Sequence, residues 1–201
     1  MREDYILTNP EYLKCVEFHG HECPGLAIGF RGAKACLDWL KENRAEDEEL
    51  VAIVETDACG SDAIQVLTGC TFGKGNFHYR DYGKQAFTLI GRKTGRGVRV
   101  CLRPGAMEPT ARHRQLMERI QKHEATREER DEFARLHLEK SREILEKPLG
   151  DLFTLKETSQ VLPPKARMEP SKPCQVCGEP AMASKLQTQN GKEICRSCLG
   201  G

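Results

Sequence analysis

The stretch FTLIGRKTGRGVRVCL, residues 87–102, decides the architecture. Two short apolar runs, Phe87–Ile90 and Val98–Leu102, flank the turn residues Lys93–Gly97, a pattern that predicts a β-hairpin. Upstream, LVAIVET (residues 50–56) is a continuous apolar run of the kind a central strand shows. Ser61 stands where it would cap a following helix carrying Ile64, Val66 and Leu67. That order leaves Cys59 on a strand-to-helix loop. Leu26, Phe30, Ala33, Leu37 and Leu40 recur at helical spacing behind Pro24 and Gly25, and Gly29, Ala33 and Cys36 form a stripe of small residues, so 25–43 reads as a buried helix. Strands interleaved with helices, one pair of strands being a hairpin, indicate an α+β domain. Its mixed β-sheet is expected to be flanked by helices rather than doubly wound and parallel.

Further along, residues 111–147 carry ten basic and nine acidic side chains of alternating sign. Leu116, Ile120, Phe133, Leu136 and Ile144 are spaced for two amphipathic helices, the second stopped by Pro148. His113, His123 and His137 fall in this charged region and are expected in solvent. Over the 201 residues, 31 Lys and Arg balance 30 Asp and Glu, and 38% of residues are hydrophobic. Such a composition excludes a wholly disordered tail, a collagen and a polybasic nucleic-acid arm. No run approaches the roughly 18 apolar residues of a membrane span, and MREDYILTNPEYLK at the N-terminus lacks the apolar centre of a signal peptide. The expected location is the cytoplasm, with no membrane partner. In a reducing compartment, ten cysteines read as metal ligands or reactive thiols rather than a disulfide framework.

Six of the ten lie in the first half, and Cys174, Cys177, Cys195 and Cys198 crowd the end. Between the groups, residues 161–173 hold four prolines and suggest an extended linker. The expected units are therefore 1–160, the linker 161–173, and 174–201. Two Cys-x-x-Cys pairs separated by seventeen residues match the spacing that closes a tetrahedral zinc site. A unit of about 30 residues buries too little apolar surface to fold alone, so structural zinc would stabilise it. Six basic against three acidic residues from 163 onward is a weak bias that makes a nucleic-acid partner unlikely beside a docking role.

A second set stands near the N-terminus. His19, His21 and Cys23 at i, i+2 and i+4 would project to one side of an extended segment. Cys23 precedes a helix whose dipole would lower its thiol pKa. If the Cys59 loop meets this segment, His19 or His21 with Cys23 and Cys59 would hold one metal and leave a position open for chemistry. Cys23, Cys59 and His21 are then the candidate catalytic residues. Cys15, Cys36, Cys70 and Cys101 are expected in core packing. The glycine-rich segment 68–76 lacks the spacing of a phosphate loop and is expected as a lid or wall over the site.

HGHECPG (19–25), DACGSDAIQ (57–65) and TGCTFGKGN (68–76) together resemble the E-subunit family of formylmethanofuran dehydrogenase, and the resemblance extends over roughly residues 10–155. It implies a thioredoxin-like α+β core, a metal-binding active site at His19 or His21, Cys23 and Cys59, and an auxiliary C-terminal zinc finger of treble-clef or ribbon type. It also implies an accessory subunit or small enzyme tied to one-carbon and molybdopterin redox metabolism, a molybdenum or tungsten enzyme being its partner. The rival readings are a metal or sulfur delivery protein and a zinc-finger nucleic-acid regulator. Zinc is the expected metal of the finger, and zinc or another transition metal that of the His/Cys site. A homodimer is expected because symmetric dimers are the commonest assembly.

Overall fold

The computed structural model describes residues 9–199, so the reading of the extreme N-terminus falls partly on residues outside the description. The chain divides into two compact units between Lys165 and Ala166. In the first, helix α1 spans Pro10–His19 and α2 spans Pro24–Leu40. The Asn9 side chain accepts from the N–H groups of Glu11 and Tyr12, satisfying two of the donors that a helix start leaves unpaired. Strand β1 (Leu50–Val54) leads through a loop into α3 (Gly60–Thr68), and β2 (Phe77–Tyr79) returns parallel to β1. The hairpin expected from 87–102 is present as β3 (Ala86–Gly91) and β4 (Gly97–Leu102). Helices α4 (Ala111–Gln121) and α5 (Arg127–Glu146) follow, then a single turn α6 (Leu149–Leu152) and the edge strand β5 (Phe153–Thr158).

The five strands lie in the order β2-β1-β3-β4-β5, with β1 and β2 parallel and every other neighbour antiparallel. The core lies between one face of this sheet and α2, with Leu26, Phe30, Ala33 and Leu37 meeting Ala52, Val54, Phe87, Leu89 and Val100. Each large aliphatic side chain so buried contributes about 1.5–3 kcal/mol relative to exposure. Small residues set the spacing. A Cβ at Gly29 would collide with the Gly60 carbonyl, and one at Gly32 would fall 2.9 Å from the Phe87 ring, so α2 sits directly against α3 and the sheet.

Helix α5 is fastened to α2 by a half-buried guanidinium. Arg31 donates to the carbonyls of Ile144, Leu145 and Lys147, which the end of α5 would otherwise leave unpaired. At its start, Thr126 and Glu129 form a reciprocal capping box. Ion pairs Arg112–Glu132 and Arg119–Glu129, at 2.6 and 2.9 Å, stitch α4 to α5. On the other face of the sheet Glu55 accepts two hydrogen bonds from Arg99, at 2.6 and 2.7 Å, which hold its carboxyl below the usual range.

The proline-rich segment is not wholly free. Arg92 donates to the carbonyls of Pro163 and Pro164, and Arg80 to Gln160, so its first part stays with the first unit. In the second unit, β6 (Ser171–Pro173) pairs with β7 (Pro180–Met182), and β8 (Gln187–Gln189) with β9 (Lys192–Ile194), followed by a 3-10 turn at Arg196–Leu199. Among its described residues, Cys174 and Ile194 are the buried apolar side chains. That is far short of a hydrophobic core.

Candidate metal centres

Helix α1 ends at His19 because Gly20 adopts the left-handed conformation, with φ of 90°. Three residues later Cys23 caps α2, its Sγ accepting the Leu26 N–H at 3.3 Å, and Pro24 occupies the first helical position. The segment is thus a helix-to-helix turn. It is not the extended run expected from the sequence, and the left-handed Gly20 is what folds the ligands back on one another. One ligand atom from each of His19, His21 and Cys23 lies within 4.8 Å of the others, so this group could hold a metal ion. His19 Nδ1 is 2.7 Å from Asp62 Oδ2, and His19 Nε2 is 3.9 Å from Cys23 Sγ. An imidazole that donates its Nδ1 proton to a carboxylate presents the Nε2 lone pair outward, the arrangement found behind metal-bound histidines. Asp62 sits in the first turn of α3, and its role was not foreseen; an Asp three residues after Cys59 was the available signal.

Cys59 stands at the start of α3. Its Sγ would be 3.6 Å from a Cβ built on Gly25, and Cys23 Sγ 3.9 Å from the same point, so the two thiols flank Gly25. Cys59 is not one of the three residues of the tight group. Burial pushes the Cys23 thiol up to about 11, against the opposing pull of the Leu26 N–H, and the neighbouring Cys59 adds to the rise. This corrects the expectation of a lowered pKa. The cap hydrogen bond is real, but burial of the charge outweighs it. Beside the group, burial and the neighbouring Glu22 carboxyl push the Tyr12 hydroxyl above its ordinary range.

Three further expectations change. Ser61 does not cap α3, since its hydroxyl donates to the Thr56 carbonyl at 2.8 Å and closes the preceding loop instead. Segment 68–76 is not a lid. Asn76 Nδ2 donates to the Leu50 and Asp47 carbonyls and Lys74 to those of Glu46 and Asp47, which ties the segment to the start of β1, whereas Cys59 follows the end of that strand. His113 is 4% exposed and bonded to the half-buried His137, so neither is the solvated residue that the charge run suggested. Of the remaining cysteines, Cys15, Cys36 and Cys70 are buried and Cys101 half-buried. A groove of about 720 Å³ along α1, α2 and α3, lined by Phe18, Lys34, Asp38 and Val66 among others, does not include the His/Cys group.

In the second unit Cys174, Cys177, Cys195 and Cys198 bring their sulfurs within 4.8 Å of one another, a four-thiol group that could also hold a metal ion. Cys174 and Cys177 lie in the turn joining β6 to β7, and Cys195 and Cys198 follow β9 into the 3-10 turn. Backbone N–H groups of Cys195, Cys177 and Val176 draw the Cys174 thiol down to about 6, favouring the thiolate a metal needs.

Fold and donor sets define an α+β protein with a His/Cys group that could hold a metal ion and a separate four-cysteine module compatible with a zinc finger. Residues 18–154 match the family described as "FmdE, Molybdenum formylmethanofuran dehydrogenase operon", and the chain belongs to that family. It is 31% identical, over 196 residues, to a probable S-adenosyl-L-methionine-binding protein of Archaeoglobus fulgidus, an alignment covering 94% of this chain and 52% of the relative. The chain therefore spans about half the length of that curated relative. A crystal structure of an FmdE-like protein of the tungsten formylmethanofuran dehydrogenase type, from Syntrophus aciditrophicus, superposes with a TM-score of 0.63 at 28% identity, covering 98% of this chain and 95% of that one. Among the described residues, no helix is long and apolar enough to cross a membrane.

Proposed function

We propose that this FmdE-family protein binds two zinc ions, one structural in the four-cysteine module and one exchangeable or reactive at the His/Cys group. It would serve a molybdenum or tungsten oxidoreductase of one-carbon metabolism as an accessory subunit or small enzyme. The observation that carries the reading is the Asp62–His19 pair aimed at Cys23, at 2.7 and 3.9 Å. A zinc ion there would supply Lewis acidity to a bound carbonyl or water. His19, His21 and Cys23 would be its protein ligands. Asp62 would hold the ring and tautomer of His19, and Cys59, beside Cys23 across Gly25, would serve as a fourth thiolate or as a nucleophile toward a bound substrate. Four thiolates at the other site leave no such position. All ten cysteines being free thiols suits the cytoplasm, and a homodimer is the assembly we expect.

Delivery of metal or sulfur to the partner enzyme is a second reading, favoured by the exposure of His21, since an exposed ligand is readily displaced. Metal analysis of the purified protein tests the two-site proposal. About two zinc per chain are expected, falling to one in C23S and in H19A with the finger zinc retained. One zinc in every preparation sinks the proposal. Turnover of a small carbonyl substrate, lost in Cys59→Ser, favours the enzyme, whereas transfer of the N-terminal ion to a competing apoprotein without turnover favours delivery.

A further inference from the structure

Helices α1, α2 and α3 leave an open groove of about 720 Å³ between them, outside the His/Cys group. Its apolar lining is Phe18, Leu37, Val66 and Leu67, and its other lining side chains are polar or charged. Phe18 is 59% exposed. At the rim stands Phe72, 82% exposed, whose N–H donates to the Gln65 side chain that lines the groove. An apolar centre inside a polar rim is the anatomy of a protein interface. Two phenylalanine rings left in water beside it mark a surface that a partner would stabilise by covering.

The lining comes from the three helices and the segments that follow α2 and α3, with no strand edge among the described residues. A partner therefore cannot extend a sheet there and must pack through side chains. Glu11, Lys14 and Phe18 line the groove at i, i+3 and i+7, so it follows about 10.5 Å of α1. That length suits two turns of a helix laid alongside, with apolar anchors four residues apart. Charge narrows the partner further. Lys34 is already paired with Glu11 at 2.9 Å. Glu17, Asp38 and Glu42 have no ion pair among the described residues, and only Lys14 and Arg44 remain in the lining to balance them, Arg44 with its Nε given to the Val66 carbonyl. The unpaired charge is acidic by three groups to two, which calls for basic side chains on the partner.

One end of the groove adjoins the candidate centre. Phe18 immediately precedes His19, and Val66 lies one helical turn beyond Asp62, whose carboxylate is 2.7 Å from His19 Nδ1. We propose that this groove is the docking surface for the oxidoreductase partner and receives one amphipathic helix. Its apolar anchors pack on Phe18 and Val66, and its basic side chains meet Asp38 and Glu42. The proposal rests on the reading of the protein as an accessory to a molybdenum or tungsten oxidoreductase, and adds to it the surface and the chemistry of the contact. Docking there brings the partner to the edge of the pair that holds His19.

The test measures equilibrium binding of the full-length, zinc-loaded protein to purified molybdenum and tungsten formylmethanofuran dehydrogenases, the enzymes named for the family and for its structural relative. F18D and the double charge reversal D38K/E42K should each weaken binding about tenfold or more, the scale of an interface hot spot. Y82D, on the exposed loop after β2 and outside the groove lining, should bind as wild type does. Should F18D disturb the neighbouring His19, its zinc content will fall, and D38K/E42K, at the far end of α2 from the ligand turn, still decides the matter. Binding that both groove variants leave unchanged overturns the docking surface while the partner reading stands. Weakening by F18D alone overturns the charge match. No binding of either enzyme by wild type overturns the partner reading itself. Sedimentation of the protein alone gives the last outcome: a dimer split by F18D would assign the groove to a second copy of the chain and overturn the proposal.

Discussion

The two ligand groups solve opposite problems. In the C-terminal unit four thiols face one another in a stretch with almost no buried apolar side chains, so a metal held there would supply the folding free energy that a core would otherwise provide. At the N-terminal group the scaffold exists already. Helices α1, α2 and α3 are packed by Tyr12, Leu26, Phe30 and Ile64, and the ligands hang on a turn between finished helices. On the proposed reading one site would be built by its ion, and the other would merely offer itself to one. A metal that folds its own site has no position to spare, whereas a metal on a pre-folded turn is free to exchange or react.

The sharpest way to break this comparison is to remove metal. Chelation, or C174S, should unfold the second unit completely, because zinc binding to such modules is worth about 10–16 kcal/mol. The first unit should keep its amide protection from hydrogen exchange. Unfolding of both units together would erase the distinction. A smaller effect is expected from Asp62→Asn, which leaves the fold intact but frees the His19 ring. Zinc affinity of the N-terminal group should fall about 10–100-fold, with no change in the affinity of the four-cysteine module.

Acidity separates the regions further. Cys23 is raised from 9.0 to about 11, so the metal-free group is a protonated thiol at neutral pH. Zinc must displace that proton, and affinity there should climb about tenfold per pH unit between pH 7 and 8, as read by chelator competition. Stability of the metal-free fold moves the opposite way with pH. An acid whose pKa rises on folding stabilises the fold below 9.0, and this contribution is lost as pH climbs through about 11. The metal-free first unit should therefore weaken in that window, and C23A should weaken less. The smallest effect concerns the α5 clamp. Arg31→Met leaves buried carbonyls unpaired at about 1–3 kcal/mol, and hydrogen exchange should quicken at the end of α5 while zinc stays bound.

Much of this was legible in the sequence where local chemistry dictates the outcome. The Lys93–Gly97 turn, Pro24 at a helix start, Pro148 after α5 and the paired Cys-x-x-Cys turns each act through their own backbone or spacing. The features that escaped depend on what the chain brings from afar. His113 and His137 sit among alternating charges that advertise solvent, yet their burial is set by how α4 and α5 face each other, 24 residues apart. Asp62 looks like an ordinary first-turn acid until α1 delivers His19 from 43 residues away. The glycine-rich segment after α3 carried no sign of which end of β1 it would reach, and Asn76 decided it by bonding the carbonyls at the strand's start.

The central claim is that two chemically different metal sites coexist on one chain. Anomalous diffraction at the zinc edge tests it most directly. Two peaks are predicted, one among the sulfurs of Cys174, Cys177, Cys195 and Cys198 and one touching His19 Nε2, His21 and Cys23 Sγ. A single peak at the four cysteines, in crystals grown with excess zinc, would contradict the account.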